Sequence, residues 1–324
     1  MTKKRKISGL SGIELFQAHE ALVKLKQSLV ITEEDDGQDS EQSEDFARGL
    51  DELIFGMESR LNGPQAFGFS TATEVTLEKL GITLAGSLRL KPDNVLRVES
   101  SRLLGKGEFW SSEHMHRHLA VLGRLVPRRN EAGARIWIDV FLFRASAMVP
   151  SGKRMVINPE HPIPATRIHP SSLTTLSGYI DYTAIVAADS VADAYYHVPT
   201  IAMARQLNTG FFVAEAKTGP IDQHIPQVVC EMYASGKQLK KETLRGALTN
   251  GHEWIFIIVR FNSNDCGAAY KFTVPLGSHV SQPAEDLNPQ TGPDIIAGVL
   301  SYWIQKSYVD LEDDDWVEEI EPNE

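Results

Sequence analysis

The run Phe211-Phe212-Val213-Ala214-Glu215-Ala216-Lys217 puts a carboxylate and an amine two residues apart at the end of an apolar stretch. Alternate side chains of an extended strand share a face, so Glu215 and Lys217 point the same way, with Phe211 and Val213 further up that face. A charged pair on so apolar a strand is costly to bury unless something compensates it. A divalent cation and a phosphate would compensate both charges at once. Asp181 stands in the apolar run before, residues 177–186. Sequential strands commonly pair, which would bring two carboxylates and a lysine to one end of a sheet. Mg²⁺ or Mn²⁺ takes a few carboxylate or carbonyl oxygens and keeps several waters; Asp181, Glu215 and the main-chain carbonyl of Ala216 make such a set. A metal there would polarise a phosphoryl oxygen and activate a bound water, and Lys217 would stabilise the charge developing on the phosphate. The plain alternative is an ion pair between Glu215 and Lys217 at a strand end, with Asp181 capping a turn.

The elements that must position these groups are read from periodicity and turn residues. Ile13, Phe16, Leu22, Leu25 and Leu29 predict a helix over 12–29, with Ser11 as N-cap. A second helix is expected over 46–61, stopped by Asn62-Gly63-Pro64. Within 65–109 the pattern predicts a helix at 73–80 and short strands near 83–90 and 95–99. Ser111 or Ser112 caps a helix to residue 125. Strands are expected over 136–143, 177–186, 211–217 and 254–259 and near 269–274. The Pro-rich stretch 150–170 reads as an excursion and 188–209 as an insertion. Pro226 opens a helix through Tyr233, Asn250-Gly251 marks a turn, and a helix over 293–307 closes the body. The result is an α/β chain with a mixed central sheet between helices.

A chain of 324 residues holds one large domain or two modest ones. No apolar run is long enough to span a bilayer and no secretory segment opens the chain, so no membrane partner is expected. Two cysteines, Cys230 and Cys266, exclude a disulfide scaffold and suit an intracellular location, nuclear or cytoplasmic. The net charge of −11 seems at odds with a nucleic-acid partner, yet the acids are concentrated. Residues 33–45 hold eight acids and residues 310–324 nine, both without Lys or Arg, which leaves the body between them near neutral. Both runs read as solvated segments. The divisions expected are 1–31, a helix with a basic start at Lys3-Lys4-Arg5-Lys6; 32–45, an acidic linker; 46–109, a helical or mixed extension; 110–309, the main domain; and 310–324, an acidic tail. The N-terminal helices are a candidate homodimer contact. Arg124, Arg128, Arg129 and Arg135, and Lys237, Lys240, Lys241 and Arg245, form two basic clusters, either solvated or aimed at a phosphate backbone.

Several features of residues 110–260 resemble the PD-(D/E)XK nuclease superfamily, and within it the divergent domain of this type found in many fungal proteins. They are Asp181 in a strand, Glu215-x-Lys217 on an apolar strand, Gln227 on the helix just after, and the Asn250-Gly251 turn leading into an apolar strand. The resemblance implies a restriction-endonuclease-like αβββαβ core and a Mg²⁺- or Mn²⁺-dependent nuclease acting on DNA ahead of RNA. Asp181 and Glu215 would be metal ligands, Lys217 the catalytic lysine and Gln227 a supporting residue. Many members add a Glu from the first core helix, and Glu113 is the candidate by position; otherwise it is a first-turn acid that complements the helix dipole. The chain departs from the pattern in having Ile180 before Asp181, 34 residues from Asp181 to Glu215, and Tyr233 six rather than four residues after Gln227. A nuclease fold used for binding nucleic acid or protein, with little catalysis, is the second reading. His114 and His118 are spaced for zinc on one helix face but lack a third ligand, and Cys230 reads as core.

Overall fold

The computed structural model describes residues 12–33, 50, 53, 54, 57, 66–127, 129–167, 175–207, 210–263, 266–277 and 291–320. Two compact units emerge, Met1–Gln65 with Pro170–Thr174, and Ala66–His169 with Thr175–Glu324. In the first, α1 spans Gly12–Glu33, four residues beyond the expected end; Leu15 is buried, and Phe16 and Leu25 are exposed. Of the expected second helix, residues 50, 53, 54 and 57 are helical, with Leu50, Ile54 and Met57 buried. The basic cluster at 3–6 and the acidic run from 34 to 45 lie outside the described residues.

The second unit runs through β1 (Ala66–Gly68), α2 (Glu74–Lys79), β2 (Ile82–Leu90), α3 (Asn94–Leu103), α4 (Ser112–Leu125) and α5 (Glu131–Ala147). Next come β3 (Lys153–Arg167), β4 (Thr175–Ala188), α6 (Asp189–His197), α7 (Ile201–Leu207), β5 (Phe212–Ala216) and α8 (Ile225–Leu239). It closes with β6 (Thr243–Thr249), β7 (Glu253–Phe261), β8 (Ala268–Thr273), β9 (Leu276–Gly277), α9 (Thr291–Gln305) and β10 (Val317–Ile320). The strands join in one mixed sheet in the order β1-β4-β5-β6-β7-β8-β2-β10, with β3 along the outer side of β4 and β9 on β7. β3, β4 and β5 are successively antiparallel, and β6 is parallel to β5. One helix, three antiparallel strands, a crossover helix and a parallel strand (α5-β3-β4-β5-α8-β6) therefore stand at the centre of the α/β fold. α8, with α2, α6 and α7, covers one face of the sheet; α3, α4, α5 and α9 cover the other.

Several elements differ from the sequence expectation, each for a physical reason. Residues 136–143, rich in β-branched and aromatic side chains, are not a strand but the middle of α5. Asn130 caps this helix through Oδ1, which accepts from Gly133 N–H at 2.8 Å, and Glu131 and Arg144 complement its ends. Because α5 is buried over most of its circumference, its apolar pattern carries no clear period. Residues 95–99 are likewise helical, in α3, where only Val98 of the three apolar residues Val95, Leu96 and Val98 is buried. The Pro-rich excursion is the long strand β3; Pro159, Pro162 and Pro164 are tolerated because, among the described residues, β3 pairs on one side only. The "insertion" at 188–209 carries α6 and α7. Residues 66–109 supply β1 and β2 to the sheet, and the acidic segment 310–320 is not a free tail, since β10 pairs antiparallel with β2. The helices at 112–125 and 225–239 and the strands around 177–186, 212–216, 253–261 and 268–273 stand as expected. The turn between β6 and β7 uses Gly251 at φ 83, where a Cβ would lie 2.7 Å from that of Trp137.

Candidate active site

β5 is buried along its whole length and ends at Ala216, before Thr218-Gly219-Pro220 turn the chain away. Its register with β4 pairs Tyr182 with Ala214, so Asp181 and Glu215 are the next opposed residues. Each carboxylate is held by the other's strand. Asp181 Oδ2 accepts from Ala216 N–H at 2.8 Å, and Glu215 Oε2 accepts from Asp181 N–H at 3.3 Å. Lys217, whose own N–H donates to Thr249 O at 2.9 Å, turns back so that Nζ meets Glu215 Oε1 at 2.6 Å. Phe211, Val213 and α8 share one core, so the face predicted for Glu215 and Lys217 is the one α8 covers. The structure thus brings Asp181, Glu215 and Lys217 together, though they are up to 36 residues apart.

The first two turns of α8 complete this side. Gln227 Nε2 donates to Glu215 Oε1 at 2.5 Å and to Glu231 Oε1 at 2.9 Å. With acceptors on both sides, the amide must present its NH₂ to them. Glu231 occupies the position four residues after Gln227, where the pattern that the sequence resembles has a tyrosine. Tyr233 instead faces the far core, accepting from Gly267 N–H and stacking on Phe261. The signal for Glu231 was the i,i+4 spacing from Gln227 on one helix face.

The other side is formed by α5; sequence reasoning named Arg135 only within a basic cluster and did not name Glu131. Arg135 donates through Nη2 to Asp181 Oδ1 and, at 2.9 Å, to Glu131 Oε1; its Nη1 donates to Glu160 Oε1 at 3.0 Å. Glu131 and Arg135 are again four apart, a readable pair; Glu160, from β3, carried no sequence signal. Glu160 has φ 51, rare for a residue with a Cβ. Facing it, β4 loses its alternation: Ile180 enters the α8-side core and Tyr182 the α5-side core. Asp181 therefore sits where the strand breaks its pleat, free of both apolar faces. Asp139, also on α5, is half-buried, and burial raises its carboxyl pKa.

Other expected contributors lie elsewhere. Glu113 is exposed on α4 and pairs with Arg117, so the acid that the first core helix brings to the site is Glu131. Arg128 is outside the described residues, and Arg129 is exposed in the turn leading into α5. Lys237, Lys240 and Lys241 cluster at the opposite end of α8 from Gln227, roughly 15–20 Å along the helix at about 1.5 Å per residue. Lys237 lies over Tyr233 and Lys241 over Tyr308. Arg245 is fully buried and bound to Asp315, not available to a phosphate backbone. His114 contacts Ser111, His116 binds Asp294 and His118 stacks on Trp110. Cys230 is buried, and its thiol is pushed up to about 12 by that burial.

Electrostatics set the chemistry of the cluster. Apart from the fully buried Glu231, the acids Glu131, Glu160, Asp181 and Glu215 confront Arg135 and Lys217, four acids to two cations, leaving a surplus of two negative charges when these are ionised. Burial pushes Glu215 up to about 7, and the Asp181 charge adds to the effect. Asp181 is also raised by burial, against the Ala216 N–H and Arg135. Burial alone would lower Lys217, but Glu215 and Asp181 outweigh it and hold the ammonium above its ordinary range. Glu231, with no exposed surface, is raised well above the usual carboxylate range by burial and by the Glu215 charge, and among the described residues its Oε2 has no hydrogen-bond partner.

A metal-free consequence is testable. The unfolded chain releases the Glu215 proton near 4.5, while the folded chain holds it to about 7. Between those values the folded state binds more protons, so this residue's contribution to stability falls as pH rises and stays lower above about 7. Glu215→Gln is expected to stabilise the metal-free protein by about 1–3 kcal/mol near pH 8 and by little near pH 4. Thermal melts at the two pH values, in chelator, measure it; equal shifts at both would contradict the assignment.

Among the described residues no three His, Cys, Asp or Glu side chains are grouped to hold a metal ion. Mg²⁺ does not require three, since it binds through one or two carboxylates and keeps its waters. Asp181, Glu215 and the Ala216 carbonyl fit it in donor chemistry, and the charge surplus fits it in sign. The chain matches no protein-family model and no curated protein.

Proposed function

We propose that this protein is a divalent-metal-dependent nuclease that hydrolyses phosphodiester bonds of DNA, with RNA as the second candidate polymer. The observation that carries the reading is the cross-strand lock between Asp181 and Glu215, with Lys217 2.6 Å from Glu215, at the broken pleat of β4. Two ionisable carboxylates and an amine buried together weaken a fold unless a ligand uses them. The α5-β3-β4-β5-α8-β6 order, matching the αβββαβ core expected from the resemblance, supports the same reading.

Asp181, Glu215 and the Ala216 carbonyl would hold Mg²⁺ or Mn²⁺, which supplies charge on a phosphoryl oxygen and a more acidic bound water. Lys217, kept protonated by its two acidic neighbours, offers an ammonium to the charge that accumulates on the phosphate. Gln227 holds Glu215 in one orientation through its amide, and Glu231 fixes which way that amide faces. A water oxygen bonds to phosphorus as one phosphorus–oxygen ester bond breaks. One water proton passes to the leaving hydroxyl and the other to solvent.

A binding module built on the same fold is the second reading. It is favoured by the fact that Asp181 and Glu215 already pair with Arg135 and Lys217. Calorimetric titration with Mn²⁺ separates the two. The nuclease reading expects binding to the wild-type chain and its loss in Asp181→Asn; titrations that do not distinguish the two chains leave the binding module standing. Among the described residues no helix is long and apolar enough to cross a membrane.

A further inference from the structure

We infer that Arg135 is an exchangeable counter-cation of Asp181: it occupies the carboxylate when no metal is bound and transfers to a substrate phosphate when the metal takes its place. This rests on the nuclease reading and deepens it by naming a substrate-binding residue outside the Asp-Glu-Lys set.

Arg135 binds the outward oxygen of Asp181, Oδ1, while Oδ2 is fixed to Ala216 N–H. The oxygen that is free to serve a cation is thus the one the guanidinium holds. The guanidinium is surrounded by carboxylates, Glu131, Glu160 and Asp181, and among the described residues its Nε has no hydrogen-bond partner. Its side chain is 28% exposed, so it stands at the mouth of the site, with Asp181 and Glu215 behind it. A planar fork of donors at that place suits two phosphate oxygens as well as it suits carboxylates. A divalent cation at Asp181 repels the guanidinium and removes the acceptor that held it. Glu131 and Glu160, both on the outer side, then retain Arg135 beside the site without needing Asp181. The site so arranged changes from one that repels a polyanion to one that presents a cation to it.

The test uses the full chain and two probes, Mn²⁺ and a short single-stranded oligodeoxynucleotide. Calorimetry compares Mn²⁺ affinity in wild type, Arg135→Gln, Arg135→Lys and Asp181→Asn. Removing the competing cation is expected to tighten Mn²⁺ binding about tenfold in Arg135→Gln, with Arg135→Lys close to wild type. Fluorescence anisotropy then measures oligonucleotide binding with Mn²⁺ present, in a Lys217→Ala background that prevents cleavage. Arg135→Gln is expected to weaken it about tenfold and Arg135→Lys less, because an ammonium lacks the fork. Weaker Mn²⁺ binding in Arg135→Gln would make Arg135 a strut for Asp181 and overturn the exchange, as would unchanged affinity for either probe. Wild-type Mn²⁺ binding that Asp181→Asn leaves intact would instead sink the nuclease reading, and this inference with it. Circular dichroism on each variant separates a folding failure from an affinity change, and Arg135→Lys, which keeps the charge, decides the case if Arg135→Gln fails to fold.

Discussion

Lys217→Ala is expected to abolish useful cleavage, cutting the single-turnover rate by about 10²–10³-fold while leaving Mn²⁺ affinity within about threefold of wild type. The separation of the two effects follows from the contacts. Glu215 keeps its position without Lys217, since its oxygens also accept from Asp181 N–H and from Gln227 Nε2. What the proposed reaction loses is the ammonium opposite the charge forming on phosphate. Asp181→Ala is expected to lose cleavage and metal binding together, because it removes one of the two side-chain ligands proposed and the acceptor for Ala216 N–H. Rates on a labelled DNA duplex and single strand, with melts to verify folding, measure both variants. Cleavage that survives both substitutions would place the chemistry elsewhere in the chain.

Arg245→Ala is expected to destabilise the fold by about 3–5 kcal/mol, because it leaves the fully buried Asp315 without its cation. Arg245 Nη1 lies 2.6 Å from Asp315 Oδ2, yet neither atom makes a well-angled hydrogen bond, so the approach is a charge contact. The directional bonds run to the backbone, from Nε to Val309 O and from Nη2 to Asp310 O, each at 2.9 Å. Trp303 lies against the guanidinium and donates Nε1 to Asp315 Oδ1 at 3.0 Å. This clasp binds the acidic C-terminal segment to β6, and β10 follows two residues later. Urea titrations are expected to show a lower midpoint. Limited proteolysis is expected to cut first within 306–320. Replacing the pair together, Arg245→Met with Asp315→Leu, is expected to recover most of the loss, since apolar side chains need no partner. A single-variant loss below about 1 kcal/mol would mean water reaches the pair.

The site was legible where it depended on short spacing and the fold where it depended on uniform pattern. Glu215 and Lys217, two apart on an apolar strand, had to share a face. Gln227, on the Pro-opened helix after that strand, was legible only through the resemblance. Residues 136–143 were not legible, because a helix buried on most sides and a buried strand are both simply apolar; the cap at Asn130 decides between them only once its hydrogen bond exists. The Pro-rich strand β3 was hidden because proline excludes a central strand but not an edge, and edge position is a property of the assembled sheet.

From the chain alone come the α/β class, the buried cysteine at 230, the acidic runs and the shared face of Glu215 and Lys217, because each rests on residue type or on neighbours within one element; Asp181 required the pairing of two strands, and Gln227 came only with the resemblance. Only the tertiary structure decided that Arg135, Glu160 and Glu231 belong to the same cluster, that Glu113 does not, and that the final acidic segment is clasped into the fold. Those facts depend on which atoms from distant segments meet, and on the charge that remains once they have met. Local sequence does not encode that sum.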